Sequence, residues 1–168
     1  ILLESGDYHR NHKNFSYICF NPIASIKVEN EAIFQNFPDG SSTEITITES
    51  TNIVEEIQQF TKRFSSNSKE NFKFINNGIF GYTAYDAVRY FEDITISKKD
   101  NSVKIPDMYY AVYQNIIAIN HFKNEAYIFS HCPDGIENNI DVVDKLINIQ
   151  NFASFNFNTN GNISSNKF

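Results

Sequence analysis

Met108-Tyr109-Tyr110-Ala111-Val112-Tyr113-Gln114-Asn115-Ile116-Ile117-Ala118-Ile119 is followed by the linker Asn120-His121-Phe122-Lys123-Asn124 and then by Glu125-Ala126-Tyr127-Ile128-Phe129-Ser130. Two apolar, aromatic and β-branched runs joined by such a linker predict a hairpin with a long loop. Working upstream, Phe15–Phe20 and Ala24–Val28 have the same strand character, and Val28–Phe34 reads as a hairpin turning at Glu29-Asn30. Ile45–Thr48 alternates with period two. Asn52 and Glu55 then form a capping-box-like start for a helix whose Ile53, Ile57, Phe60 and Phe64 fall on one face.

Phe72-Lys73-Phe74-Ile75 alternates again and runs into Asn76-Asn77-Gly78, a strong turn signal ahead of Ile79-Phe80-Gly81-Tyr82. Ala84–Glu92 carries Tyr85, Val88 and Phe91 at helical spacing and predicts a short helix. Downstream of the opening hairpin, a last helix is expected over Ile140–Ile149, with Ile140, Val143, Leu146 and Ile147 facing inward. Strands interrupted by two or three helices predict an α+β domain built mainly on antiparallel β-sheets. The domain proper is expected over 1–150. The Asn-, Ser- and Gly-rich stretch 151–168 reads as a polar linker or tail, and the start at Ile1, inside an apolar run, reads as a strand entered from preceding residues.

Composition narrows the function classes. In 168 residues, 41% are hydrophobic and 20% charged, with 16 Phe and 9 Tyr, which is enough apolar material for a packed core. The net charge of −6 argues against a nucleic-acid partner, whose recognition needs clustered Lys and Arg. No apolar run reaches the roughly 18 to 20 residues that span a bilayer, so no membrane association is expected. Two distant cysteines, Cys19 and Cys132, suit a reduced, cytoplasmic protein better than a disulfide scaffold.

Catalytic signatures are missing: no Gly-rich phosphate loop, no His-Glu-x-x-His, no paired cysteines at zinc spacing and no nucleophile elbow. His9 and His12 sit in a polar stretch beside Arg10 and Lys13 and read as an exposed loop rather than metal ligands. His121 and His131 flank the late hairpin and are not read as members of a catalytic triad, and Asp86 and Asp107 are single carboxylates. The sequence therefore assigns no catalytic residue and no metal ligand. Glu4 and Ser5, closing the apolar Leu2-Leu3 strand, place a carboxylate and a hydroxyl where an amino acid's ammonium group and polar edges can be held.

Leu2-Leu3-Glu4-Ser5, then Phe15-Ser16-Tyr17-Ile18 ahead of Asn21-Pro22, then Asn77-Gly78-Ile79-Phe80-Gly81-Tyr82 leading to Tyr85-Asp86-Ala87-Val88-Arg89-Tyr90-Phe91-Glu92, resemble the amino-terminal lobe of anthranilate synthase component I in order and spacing. Ile105-Pro106-Asp107-Met108 and the hairpin after it extend the resemblance, which runs from Ile1 to about Cys132. The third segment is similar to the family's Gly-Gly-x-x-Gly-Tyr-x-x-Tyr-Asp-x-x-Arg motif, with Asn77 in place of the first Gly. The resemblance implies that Ser5 contacts the feedback inhibitor tryptophan, with Leu3 and Glu4 in the same element and Ser16 in the following strand. Lys13 lies where relatives carry a basic residue, within a loop that differs. Gly78, Gly81, Tyr82, Tyr85, Asp86 and Arg89 are expected to be scaffold. Gly81 should relieve backbone crowding, Tyr82, Tyr85 and Phe91 should fill the core, and Asp86 should pair with Arg89 across one helical turn.

By the same resemblance, the whole enzyme makes anthranilate and pyruvate from chorismate and ammonia that a glutamine amidotransferase subunit supplies. Magnesium serves it in a carboxy-terminal catalytic lobe, which is expected to follow this chain. The residues here would then be catalytically silent and bear no cofactor. The folate-branch relative, aminodeoxychorismate synthase, shares this lobe and often has Asp where Glu4 stands. A free-standing binding module without an enzyme is the reading from another class.

Overall fold

The computed structural model describes residues 1–4, 14–65, 72–96 and 105–149. Among the described residues seven strands follow in order: β1 (Leu2–Glu4), β2 (Phe15–Glu29), β3 (Ala32–Asn36), β4 (Ser42–Thr46), β5 (Phe80–Thr83), β6 (Met108–Asn120) and β7 (Glu125–Ser130). Helix α1 (Ile53–Lys62) precedes β5, a 3₁₀ helix (Tyr85–Tyr90) follows it, and α2 (Ile140–Ile147) comes last. All strand pairings described are antiparallel and form one sheet in the order β4-β3-β2-β6-β5, with β1 also on β2 and β7 also on β6. The α+β class holds.

The two long strands organise everything else. β2 and β6 pair from Phe15↔Asn120 to Val28↔Met108, with a register shift between Pro22 and Ala24. Along β2, β1 takes the first part (Leu2↔Ile18 to Glu4↔Ser16) and β3 the last (Ser25↔Asn36 to Glu29↔Ala32). Along β6, β5 takes the first part and β7 the last. The sheet therefore has two halves, β1-β2-β6-β7 and β4-β3-β2-β6-β5, hinged at the bulge. Pro22 has no N–H to give a ladder, and it sits at that irregular point, between the stretches where β1 and β3 pair. Asn21 beside it takes a left-handed φ of 58°, which Asn tolerates better than most residues.

The core follows this division. Ala24, Ile26 and Val28 alternate into one buried cluster with Ile33, Met108 and Val112, and α1 covers it with Ile53 and Phe60. Asn52 caps that helix as the sequence predicts: its side-chain oxygen accepts from the Glu55 N–H at 3.2 Å. A second cluster contains Cys19, Phe80, Ala111, Tyr113 and Ile116, flanked by Leu3, Tyr17, Tyr109 and Phe129. Burial pushes the Cys19 thiol up to about 11, so it is inert packing at neutral pH.

Several expectations need correcting. The first hairpin turns one residue later than predicted, at Asn30 and Glu31, whose φ values of 52° and 60° make a two-residue turn that matches strand twist. Residues 72–75 form no strand. Phe72 and Phe74 instead lie on the aromatic rings of Phe15, Tyr127 and Phe129, with centroid separations of 4.9 to 6.0 Å for Phe74–Tyr127, Phe15–Phe74, Phe72–Phe129 and Phe74–Phe129. Their alternation serves to cover a sheet face rather than to pair at an edge. Helix α2 ends at Ile147 and buries Val143, while Leu146 and Ile147 are exposed. The segment after β5 is 3₁₀, and Tyr85 is 85% exposed, with Tyr82 and Phe91 also at the surface, so these rings do not fill the core. The expected tail 151–168 lies outside the described residues.

Candidate functional site

Where β1 meets β2, an open groove of about 570 Å³ runs beneath the segment that leads into β5. Leu3, Glu4, Phe15, Tyr17 and Phe80 line it together with Ile75, Asn77, Gly78 and Ile79. The register explains the composition: Leu3 lies opposite Tyr17, two residues from Phe15, so one face of two adjacent strands collects apolar and aromatic side chains. Phe15 and Tyr17 stack at 6.2 Å, and Tyr17 leans on Phe80 at 6.3 Å. The volume falls within the usual range for small-molecule sites.

The opposite wall is irregular backbone held by side chains from three places. The Ile75 N–H donates to the Tyr17 hydroxyl at 3.3 Å. The His131 ring donates from Nε2 to the Asn76 carbonyl at 2.9 Å, which fixes its tautomer. Asn77 donates from Nδ2 to the Phe64 carbonyl at 3.0 Å and accepts the Gly78 N–H at 2.8 Å. Gly78 has φ 145°, a conformation that side-chain-bearing residues rarely adopt. Burial pushes the His131 imidazole below its ordinary range, partly offset by its bond to the Asn76 carbonyl.

The expected ligand residues separate. Leu3 and Glu4 line the groove, but only Leu3 shares the face of Tyr17: Glu4, exposed at the end of β1, lies opposite Ser16, with its side chain on the other face. Ser16 does not line it. Paired with Glu4 and offset by one from Tyr17, its side chain leaves the sheet on the other face, where its 4%-exposed hydroxyl is bonded to His121 Nε2 at 2.7 Å. Ser5, His9, His12 and Lys13 lie outside the described residues. Sequence reading passed over Phe15, Tyr17, Ile75, Asn77, Ile79 and Phe80. The period-two spacing from Phe15 to Tyr17 was the available signal.

Around the 3₁₀ helix, Asp86 and Arg89 do not pair as carboxylate and guanidinium. Arg89 Nη2 meets Asp107 Oδ2 at 2.7 Å, Nη1 donates to the Asp86 backbone carbonyl, and the Tyr90 hydroxyl donates to the same Asp107 oxygen at 2.8 Å. Burial first, then this bond to Asp107, holds the Tyr90 phenol above its ordinary range. Asp107 thus ties the 3₁₀ helix to the start of β6. Asp107→Ala should lower unfolding free energy by about 2 kcal/mol, since two charge-assisted hydrogen bonds are lost from a partly buried site. A urea-denaturation shift below a quarter of that would show the cluster to be ornamental. Gly81 and Tyr82 belong to β5, where Gly81 lies against the backbone of Tyr109.

Among the described residues no group of His, Cys, Asp or Glu is arranged to hold a metal ion, and no helix is long and apolar enough to cross a membrane.

Comparison with known proteins agrees with this architecture. A family model described as chorismate binding enzyme matches residues 1–166. Over 130 residues the chain is 29% identical to anthranilate synthase component 1 of Lactococcus lactis, covering 77% of this chain and 26% of that protein. Over 131 residues it is 30% identical to anthranilate synthase component 1 of Methanothermobacter marburgensis, with the same coverage of 77% and 26%. The chain thus spans about a quarter of the length of these curated relatives. The crystal structure of anthranilate synthase component I from Streptococcus pneumoniae superposes with a TM-score of 0.54 at 21% identity, over 80% of this chain and 28% of that one, a likeness of fold.

Proposed function

Because the chain belongs to the family of chorismate binding enzymes, we propose that it forms the amino-terminal, tryptophan-sensing part of an anthranilate-synthase-type large subunit. The observation that carries this reading is the aromatic groove between β1, β2 and the segment that leads into β5. Phe15, Tyr17 and Phe80 line the groove with aromatic side chains against which an indole would pack, and each such contact adds about 1 kcal/mol beyond area burial. Leu3 would pack against the ring; Glu4, the last residue of β1 and opposite Ser16, would turn its carboxylate round the strand end to receive the ammonium group. Ser5 would add a hydroxyl, as the resemblance implies. Ser16 is given no ligand contact, because it serves His121 on the other face.

The chemistry of the whole protein is proposed to be conversion of chorismate and glutamine-derived ammonia to anthranilate and pyruvate in the cytoplasm. An amidotransferase subunit would supply the ammonia, and a catalytic lobe that binds chorismate and magnesium would carry out the reaction. The described residues offer no donor set for that ion, so they are assigned none of its chemistry. Their role is regulatory: bound tryptophan would favour a state of lower chorismate affinity, and chorismate would weaken tryptophan binding by the same factor.

Calorimetric titration of the full-length protein with L-tryptophan tests this reading. Glu4→Gln should weaken binding about tenfold, because one charge-assisted contact becomes a neutral one. Unchanged affinity would remove Glu4 from the site.

A further inference from the structure

We infer that His131, which lies outside the groove, is the residue that positions the groove's irregular wall and thereby sets its affinity for an aromatic amino acid. The inference rests on the groove reading above and adds a residue that contacts no part of the ligand.

Residues 75–79 are in neither helix nor strand, so no ladder fixes their backbone. Three consecutive residues are held instead by single side-chain hydrogen bonds: Ile75 to Tyr17, Asn76 to His131 and Asn77 to Phe64. Tyr17 and Asn77 themselves line the groove, so changing either alters ligand contact and wall position at once. His131 does not line it. It lines a second cavity of about 300 Å³, with Arg63, Ser65, Ser130 and Cys132. Asn77 lines both cavities. His131 therefore lines one cavity while its imidazole holds the backbone that walls the other.

The base of that arm is itself secured. The His131 N–H donates to the Gln114 carbonyl at 2.7 Å, directly after β7. Gln114, 3% exposed, donates from its amide to the Glu137 carbonyl at 2.7 Å and accepts from Asn21 at the β2 bulge. The hook thus starts from the β6 backbone opposite the β2 bulge, where Gln114 is itself cross-tied, and ends on the irregular wall, the arrangement needed to transfer rigidity to a binding surface.

The test compares wild-type, His131→Ala and His131→Gln full-length protein by calorimetric titration with L-tryptophan, together with amide hydrogen exchange of residues 75–79 in the absence of ligand. Gln keeps an N–H donor at similar reach. His131→Ala should weaken tryptophan binding about fivefold, the loss expected for one neutral hydrogen bond that holds the wall, and should speed exchange at 75–79. His131→Gln should restore most of both. Equal tryptophan affinity in wild type and His131→Ala overturns the inference while leaving the groove reading intact. So does a His131→Gln protein that is as weak as His131→Ala. A wild-type protein that binds no tryptophan overturns the groove reading and, with it, the role in affinity; unchanged exchange at 75–79 in His131→Ala overturns the positioning itself.

Discussion

Gly81→Ala should destabilise the protein by about 3 kcal/mol, at the upper end of ordinary overpacking costs. For a chain of this length that is a fall of roughly 10 °C in the thermal midpoint. A Cβ built at Gly81 lies 1.9 Å from the Tyr109 carbonyl oxygen and 2.7 Å from the Tyr110 Cα. Both obstacles are backbone atoms of the strand to which β5 is paired, so no rotamer change can make room. β5 must move away from β6, and Phe80 moves with it, out of the second core cluster and out of the groove wall. Tryptophan affinity should fall in parallel with stability in this variant. A thermal midpoint within about 2 °C of wild type would mean that the close approach of the two strands is not maintained in solution.

Phe60→Ala should cost about 4 kcal/mol, within the range for large-to-small changes at well-packed aromatic sites. Phe60 is 1% exposed and is the largest fully buried side chain described. It anchors α1 to the sheet and touches Phe37 and Phe64, at centroid distances of 5.8 and 5.2 Å. Truncation leaves a ring-sized void between helix and sheet that neither neighbour can fill without leaving its own place. Because α1 ends beside Phe64, whose carbonyl holds Asn77, the groove wall should loosen as well. Phe64→Ala, at a partly exposed position, should cost about half as much. Urea denaturation of the two variants measures both figures, and a loss below about 1 kcal/mol for Phe60→Ala would contradict the described packing of α1.

Local signals were legible wherever the physics is local. Asn52 with Glu55 marks the start of α1 because a cap needs three residues of sequence and nothing else. The β6–β7 hairpin is equally plain, because its pairing partners are joined directly by the single loop His121–Asn124. Non-local pairing was not legible. The partner of Arg89 is Asp107, eighteen positions away, rather than Asp86 one helical turn away, because the segment winds as a 3₁₀ helix and brings β6 alongside. Phe72–Ile75 alternates like a strand, yet a sheet face lined by Phe15, Tyr127 and Phe129 took its rings. For the candidate site, the register of β1 on β2 decides which residues share a face, and the long connection between them leaves that register open in the sequence. One step of register separates Tyr17, in the groove, from Ser16, behind it. The contact of His131 with Asn76 spans fifty-five positions and four elements, β5, the 3₁₀ helix, β6 and β7, and no sequence pattern announces it.

Hydrogen–deuterium exchange of the full-length protein, read by mass spectrometry with and without saturating L-tryptophan, tests the groove most directly. Tryptophan should slow exchange in peptides that cover residues 2–4 and 75–80, where the ligand would press on β1 and on the unpaired wall. The β6–β7 turn at His121–Asn124, which neighbours Ser16 on the opposite face, should be unaffected. Protection confined to that turn, or binding with no change at 75–80, would contradict the site.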